Sequence, residues 1–432
     1  MPARTPAAER TRLGPGGPSH DGMDEKDEAD EGGEVDETGA RDGARFSDAF
    51  ERLECAETGA AYDRTATGRS EAGAPLVPRY DLDGVLTREL VDGAASLWDL
   101  APALPFAREA AVEAAEGATP LVGTPSLAEE FGVGRVLVKD ESRNPTGTVY
   151  DRGLSLAATS AAERGAELVA LAAAGNAGQS AAAYAGAAGL RSYAFVPSRA
   201  PFPNKAMVNV HGGEMRVVGG RYPDALAAVD DQLESSYHSL QEFADPFRHD
   251  AYRTLAYELL ADLDWRVPDA VVLPVGTGEV VVGVVAGLRD CADAGLVDGV
   301  PRVYAAQPAG CAPVVTAFEA GRSVEPWSTP DTIVGELEIP DPPGGDLAVA
   351  ALRESGGGAV AVDDDEAVEA AVTVAATAVL EVGAAGGVAV AGAGALAADG
   401  AFDDDATVVV ANTESGTKTA DVLRSHLMGK GI

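Results

Sequence analysis

Cysteine and histidine are scarce in this chain and widely scattered. Cys55, Cys291 and Cys311 are the only cysteines among 432 residues. They are too few and too far apart for a disulfide framework, so we expect a reducing compartment. The five histidines show no metal-ligand spacing among themselves or with the cysteines. The sequence therefore predicts no metal site and no zinc.

Long apolar runs and positive charge are also lacking. No stretch of about 18 uninterrupted apolar residues occurs, and the N-terminus lacks a basic region followed by an apolar one. We therefore expect a cytoplasmic protein without a membrane partner. Asp and Glu number 69 against 32 Lys and Arg, a net charge of −37, which disfavours nucleic acid and anionic membranes as partners. This acidic excess resembles that of halophilic proteins, in which high salt screens the self-repulsion.

The body of the chain has the pattern of an α/β protein. Residues 1–45 are rich in Gly, Asp and Glu and predict a disordered acidic tail. From about Tyr80 onward, short β-branched runs alternate with Ala-rich amphipathic stretches, which is typical of βα units and a parallel sheet. The predicted strands are Arg135–Lys139, Leu168–Ala172, Ser192–Pro197, Met215–Val218, Ala270–Val275, Val303–Gln307 and Thr407–Ala411. The predicted helices are Ala177–Gly189, Pro223–Ser235, Tyr252–Asp264, Val280–Arg289, Ala312–Gly321, Asp365–Val382 and Thr417–Leu427. Ligands of such sheets bind at the carboxyl ends of the strands.

The most informative stretch is residues 139–153, which read KDESRNPTGTVYDRG. It resembles the cofactor-anchoring segment of threonine synthase and its relatives among the fold-type II pyridoxal-phosphate enzymes. In that family a lysine directly before Asp-Arg-Gly forms a Schiff base with the cofactor aldehyde. This chain has Tyr150 at that position, and a phenol cannot form a Schiff base. The resemblance implies a two-domain fold with parallel-rich sheets, and it makes Tyr150 the candidate at the catalytic position.

A second loop, 171–178, resembles the family's Ser/Thr-Gly-Asn loop. The resemblance implies that Asn176 binds the cofactor and that Thr146, Gly175 and Ala177 receive the substrate. Ala174 replaces the expected hydroxyl, which removes a hydrogen-bond donor. Read without the resemblance, Gly-Asn between a strand and a helix is also an ordinary turn with a helix N-cap.

A third loop, 271–280, runs from a strand through Gly276, Thr277 and Gly278 into a helix. This arrangement aims backbone N–H groups at an anion, and the family binds the cofactor phosphate there. Glu279 follows, and two interpretations stay open. Its carboxylate repels a phosphate by on the order of 4 kcal/mol at about 4 Å, unless it swings away. Alternatively, it stabilises the positive end of an empty helix.

The last loop, 408–418, resembles the segment that places a threonine hydroxyl at the cofactor ring. Thr413 and Lys418 match the family pattern, whereas Glu414 replaces a glycine and adds negative charge beside the expected pocket. The segment 331–340, which forms another wall in the family, is also acidic here.

The resemblance also implies a division of the chain. Residues 46–80 correspond to a zinc ribbon of which only Cys55 remains among four expected ligands, and one thiolate cannot hold a tetrahedral zinc. Residues 81–151 and 246–432 correspond to a large domain and 152–245 to a small one. A homodimer is expected by the same likeness.

Three functions remain open at this level. The first is a catalytically silent relative that binds a small molecule, an amino acid or an anion, or a partner protein. The second is an enzyme. It is either a lyase of the threonine synthase type, with pyridoxal phosphate bound non-covalently or through Lys418, or an enzyme that uses Tyr150 as an acid. The third is a purely structural role.

Overall fold

The computed structural model describes residues 43–233 and 236–430. Its strands are β1 (Phe50–Cys55), β2 (Ala61–Tyr62), β3 (Leu76–Tyr80), β4 (Leu121–Gly123), β5 (Arg135–Asp140), β6 (Leu168–Ala172), β7 (Arg191–Pro197), β8 (Glu214–Val218), β9 (His238–Ser239), β10 (Ala270–Pro274), β11 (Arg302–Pro308), β12 (Gly358–Val362) and β13 (Thr407–Asn412).

The helices alternate with these strands over most of the chain. They are α1 (Arg88–Asp92), α2 (Pro125–Phe131), α3 (Tyr150–Glu163), α4 (Asn176–Ala187), α5 (Phe202–Val210), α6 (Tyr222–Gln232), α7 (Arg253–Asp262), α8 (Glu279–Asp293), α9 (Pro313–Ala320), α10 (Gly345–Glu354), α11 (Asp364–Ala378), α12 (Ala384–Ala398) and α13 (Ala420–Gly429).

Two parallel-rich sheets organise the fold. The larger has the strand order β12-β11-β10-β13-β5-β4, and only the edge pair β4–β5 is antiparallel. The smaller has the order β8-β7-β6-β9 and is parallel throughout. Strands β6 and β10 are buried at every residue, because helices cover both faces of a parallel sheet. The predicted α/β fold is confirmed.

The strands of the larger sheet come from 81–151 and 246–432, and those of the smaller sheet from 152–245. The domain boundaries themselves stay a prediction. Most of the tail predicted at 1–45 lies outside the described residues. Arg45 belongs to the folded part, since its guanidinium contacts the carboxylate of Glu163 at 2.6 Å.

The segment that corresponds to a zinc ribbon is a small antiparallel sheet of order β2-β1-β3. Its buried Cys55 thiol lies 3.1 Å from the hydroxyl of Ser70. Across the described ranges, no group of three or more His, Cys, Asp or Glu residues is arranged to hold a metal ion. Nor is any helix there long and apolar enough to cross a membrane.

Helix α3 leads from the larger sheet to the smaller one and is buried from Asp151 to Ala161. The wholly buried guanidinium of Arg152 holds its first turn in place. It donates to Glu141 at 2.7 Å and to Glu258 at 2.6 Å, and such charge-assisted hydrogen bonds are strong and directional. This network places Tyr150, the first residue of α3, at the cleft between the sheets.

Candidate functional site

The structure brings most of the predicted site residues together at the carboxyl ends of the strands. One cavity is lined by Tyr150, the Gly276–Gly278 loop and Thr413. An adjoining cavity is lined by Tyr150, Thr277 and the residues 172–177, which include Gly175, Asn176 and Ala177. Among the predicted site residues only Thr146 lines neither.

Both cavities are small. Each has a volume of about 20 Å³, which is room for roughly one water molecule, whereas ligand pockets usually span roughly 300–1,000 Å³. Tyr150, Thr277 and Glu336 line both cavities. These three residues therefore form a wall that the two cavities share.

Glu336 is the side chain that most changes the expected site. The carboxylate of Glu336 accepts hydrogen bonds from the Nδ2 of Asn176, from the backbone N–H of Asn176 at 3.0 Å and from the Nδ2 of Asn204 at 3.0 Å. The Nδ2 of Asn176 also donates to Glu414 Oε2 at 2.5 Å. The two acids therefore hold the amide that the resemblance assigns to the cofactor.

The two acids of this cluster, Glu336 and Glu414, are buried side by side. Glu336 is 6% exposed and Glu414 is 1% exposed. Burial raises the pKa of Glu336 well above its ordinary value, and the neighbouring carboxylate of Glu414 raises it further. Glu414 accepts a second hydrogen bond at its Oε1, from the backbone N–H of Ala385 at 3.1 Å. Glu336 is thus the acid of this cluster whose protonated form is favoured.

Other parts of the protein surround the three residues expected to bind substrate. A Cβ on Gly175 would lie 2.9 Å from the carboxyl carbon of Glu336, so the acid occupies the space above this glycine. Thr146 gives its hydroxyl and its backbone N–H to Asp151, both at 2.6 Å. Ala177 lies in the first turn of α4 and is buried.

The loop expected to bind phosphate has the expected backbone shape. Gly278 precedes α8 with a φ of 92°, a left-handed conformation that favours glycine. Glu279 is the first residue of the helix, and its Oε1 accepts from Arg248 at 2.8 Å. The structure thus adds an ion pair that sequence reasoning did not find, and the choice between the two interpretations stays a prediction.

Arg248 and Glu242 are site residues that the sequence analysis missed. The Arg248 guanidinium is buried, lies 3.2 Å from Glu242 and donates to the carbonyl of Leu240 at 2.7 Å. Its central carbon stands 5.8 Å from the centre of the Tyr150 ring, close enough for a cation–π contact. Both residues follow the two-residue strand β9 and belong to no motif, so no sequence signal could have found them.

A second cluster of buried groups, Tyr150, Arg248 and Glu279, also has shifted pKa values. Burial raises the pKa of Glu279 to about 7, although Arg248 lowers it. Burial raises the pKa of Tyr150 well above its ordinary value, and the carboxylates of Glu279 and Glu336 add to the rise. The Tyr150 phenol is therefore neutral at physiological pH and cannot serve as a base in this state.

Lys418 is the lysine that reaches the cleft. Its Nζ donates to Gln179 Oε1 at 2.5 Å, and burial lowers its pKa. Lys139 instead contacts Asp262 at 2.9 Å and Glu258 at 3.2 Å. Among the described lysines, Lys418 alone lies beside the candidate site.

The resemblance implies pyridoxal phosphate in this cleft, and the side chains as they stand do not fit that group. Tyr150 offers no amine, Asn176 is held by two carboxylates, and Glu279 sets a third carboxylate at the phosphate loop. The backbone does fit, because the Gly276–Gly278 turn and the start of α8 retain an anion-binding form.

Comparison with known proteins gives one consistent family. Residues 112–414 match the family model described as "Pyridoxal-phosphate dependent enzyme". The chain is 31% identical over 367 residues to threonine synthase of Methanosarcina acetivorans, covering 84% of this chain and 90% of that protein. It is 32% identical over 358 residues to threonine synthase of Methanocaldococcus jannaschii, covering 81% and 88%.

Solved structures share the fold at lower identity. An L-serine ammonia-lyase from Rhizomucor miehei superposes with a TM-score of 0.62 at 21% identity, over 72% of this chain and 98% of that one. Maize serine racemase superposes with a TM-score of 0.61 at 18% identity, over 73% and 94%. Family membership in general implies dependence on pyridoxal phosphate. The chain belongs to the family of pyridoxal-phosphate dependent enzymes with the fold-type II architecture, and within it the chain is threonine synthase-like.

Proposed function

We propose that this threonine synthase-like protein does not carry out the family's lysine-based chemistry and instead acts as a silent relative that binds a small ligand or a partner. The observation that carries the proposal is the hydrogen-bonded cluster of Glu336, Asn176 and Glu414. It holds the Asn176 amide that the family likeness assigns to the cofactor. The replacement of the lysine by Tyr150 supports the same proposal.

The carboxylates of Glu279, Glu336 and Glu414 would also weaken the binding of any phosphorylated ligand. Two like charges at about 4 Å repel by on the order of 4 kcal/mol at an effective dielectric near 20. Glu279 stands directly at the phosphate loop. Its partner Arg248 offsets part of this repulsion, but that guanidinium is already shared with Glu242.

A second candidate is a pyridoxal-phosphate dependent lyase with the cofactor attached through Lys418. The observation in its favour is that this buried lysine has a neutral amide as its hydrogen-bond partner and a lowered pKa. Both features increase the fraction of free amine, which is the nucleophilic form. Against it stands the limited space beside Tyr150.

The test is to add pyridoxal phosphate to the purified full-length protein in high-salt buffer, reduce with borohydride, dialyse and map modified lysines by mass spectrometry. The proposal predicts no retained chromophore. A chromophore lost in Lys418→Met and kept in Lys205→Met would establish the second candidate. Lys205 is the matched control because its Nζ donates to the carbonyl of Ser198 at an exposed position.

We also propose a cytoplasmic location and adaptation to high salt. The support is compositional: a net charge of −37 and few lysines, cysteines and long apolar runs. Whether the protein forms the expected homodimer stays a prediction, which light scattering in high-salt buffer would measure.

A further inference from the structure

The segment 331–340, which we call the strap, is fixed to the larger sheet. The backbone N–H of Asp331 donates to the carbonyl of Gly310 at 3.0 Å, just beyond the end of β11. Further along, Val334 and Leu337 are buried in the hydrophobic core that covers one face of β5, β10 and β13. Because its backbone and its apolar side chains both contact this sheet, the strap packs as part of the larger unit.

The strap also contacts the smaller sheet, through the carboxylates of Glu336 and Glu338. Both residues are buried. Their partners lie on α4, on α5 and in the turns after β7 and β8, and they are Asn176, Asn204, Arg199 and Arg221. Glu336 accepts from both asparagines at 3.0 Å. The carboxylate of Glu338 lies 3.4 Å from Arg199 and accepts from Arg221. The next residue, Ile339, is buried in the hydrophobic core of the smaller sheet, so the strap joins the two sheets.

Glu336 fills the cleft between two glycine turns. A Cβ on Gly276 would lie 3.2 Å from the backbone carbonyl oxygen of Glu336, and a Cβ on Gly175 would lie 2.9 Å from its carboxyl carbon. Gly276 belongs to the turn before α8, and Gly175 precedes α4. The same glutamate lines both cavities of about 20 Å³, each with room for roughly one water molecule. A larger ligand therefore enters only after the strap has moved.

We propose that the strap is an autoinhibitory element, which keeps the cleft closed by bonding the two sheets together through Glu336 and Glu338. The asparagine and arginine groups that hold these carboxylates all act as donors, so the two acids satisfy them as an anionic ligand would. Breaking either set of contacts opens the cleft to a small ligand. This inference rests on the proposed function, because it states how access to the cleft of a silent relative is controlled.

The Cys311 thiol is a native reporter of strap opening. It is 0% exposed and directly follows Gly310, to which the strap is bonded. Burial raises the pKa of this thiol to about 12, the nearby carboxylate of Glu338 adds to the rise, and the backbone N–H of Ile339 opposes it. Only a thiolate reacts with alkylating reagents, so Cys311 reacts after the strap has moved away. Cys291 is equally buried but lies in α8, within a different hydrophobic core, and reports on global unfolding.

The test exposes the full-length protein in high-salt buffer to N-ethylmaleimide and follows the labelling of each cysteine by peptide mass spectrometry. Glu338→Gln is expected to raise the labelling rate of Cys311 about tenfold or more, because charge-assisted contacts between the sheets are lost. The labelling rate of Cys291 should stay unchanged. Glu336→Ala should have the same effect. Alanine is used at this position because the amide of Gln would donate to the adjacent Glu414.

Arg221→Met separates strap opening from the electrostatics of the thiol. The positive charge of Arg221 lowers the pKa of Cys311, whereas the negative charge of Glu338 raises it. Removing Arg221 alone would therefore slow the reaction of a thiol that stayed in place, but the strap predicts faster labelling. The double variant with Glu338→Gln should label no faster than the faster single variant, because both changes break one contact. Glu325→Gln is the control, since this exposed acid pairs with Arg322 in its own loop.

Each outcome decides for or against the strap. Faster labelling of Cys311 alone, in the Glu338, Glu336 and Arg221 variants but not in the Glu325 control, supports it. Equal acceleration at Cys291 would overturn the proposal, because the whole fold would then be opening. Unchanged labelling of Cys311 in the three strap variants would also overturn it, yet would leave the silent relative standing. A retained cofactor chromophore after borohydride reduction overturns the proposed function by a measurement that does not involve Cys311.

Discussion

Changing Glu279 to Gln should flatten the pH dependence of stability. In the folded protein the pKa of Glu279 is raised from 4.5 to about 7, chiefly by burial. A carboxyl with a raised folded-state pKa contributes stability that is fully present below its unfolded pKa and is lost as the pH rises through the folded value. The neutral amide of Gln cannot ionise, so the variant lacks this loss.

The size of the effect follows from the shift. Each pKa unit corresponds to about 1.36 kcal/mol. Ionising Glu279 should therefore cost the folded state on the order of 3 kcal/mol at high pH, and about 2 kcal/mol of this falls between roughly pH 5.5 and 8.5. Asp151 acts in the same direction, since burial raises its pKa to about 6. His249 acts in the opposite direction but only below its ordinary pKa, because burial lowers its pKa to about 3.

The assay is denaturant unfolding at both pH values and at constant high salt. For each protein we take the change in unfolding free energy between the two pH values. The readout is the difference between the change for wild type and the change for Glu279→Gln, because this difference removes the contributions of Asp151 and His249. Glu57→Gln makes the same chemical change at an exposed position and should stay within about 0.5 kcal/mol of wild type. If Glu279→Gln keeps the full pH dependence of wild type, the account of this cluster is wrong.

Three further changes test the packing and chemistry of the cleft. Arg248→Met should lower the unfolding free energy by about 3–5 kcal/mol, because it leaves the buried carboxylate of Glu242 unpaired; a loss under 1 kcal/mol in denaturant unfolding would contradict this. Gly278→Ala should destabilise by about 1–3 kcal/mol, since its φ is 92° and a Cβ would lie 2.7 Å from the carbonyl oxygen of Gly344; an unchanged melting temperature would refute it. Tyr150→Lys alone should not produce a borohydride-stable cofactor adduct by absorption spectroscopy, because the surrounding acids remain and favour the protonated amine. A covalent adduct in that variant would show that the lysine was the only part missing.

The fold could be predicted where burial leaves a strong local pattern. Strand β6 is found at Leu168–Ala172 as predicted, because a strand covered on both faces is a short continuous apolar run. Helix α12, Ala384–Ala398, was not predicted. It consists almost wholly of Ala, Gly and Val and therefore shows no 3.6-residue alternation. Its small residues let α12 pack closely against α11. At Gly387, for example, a Cβ would lie 3.0 Å from the Cβ of Ala371 in α11.

The candidate site could be predicted in its position but not in its chemistry. Loops that leave the carboxyl ends of parallel strands converge in any such sheet, so the meeting of Tyr150 with Asn176 follows from chain order. Which groups bond to which does not. Asn176 is bonded to Glu336, 160 residues away, and to Glu414, 238 residues away. Sequence alone shows each of these acids as a separate negative charge beside a pocket, whereas the structure shows both holding one amide. Only the folded chain shows that arrangement, because each of the two contacts joins segments that are far apart in the sequence.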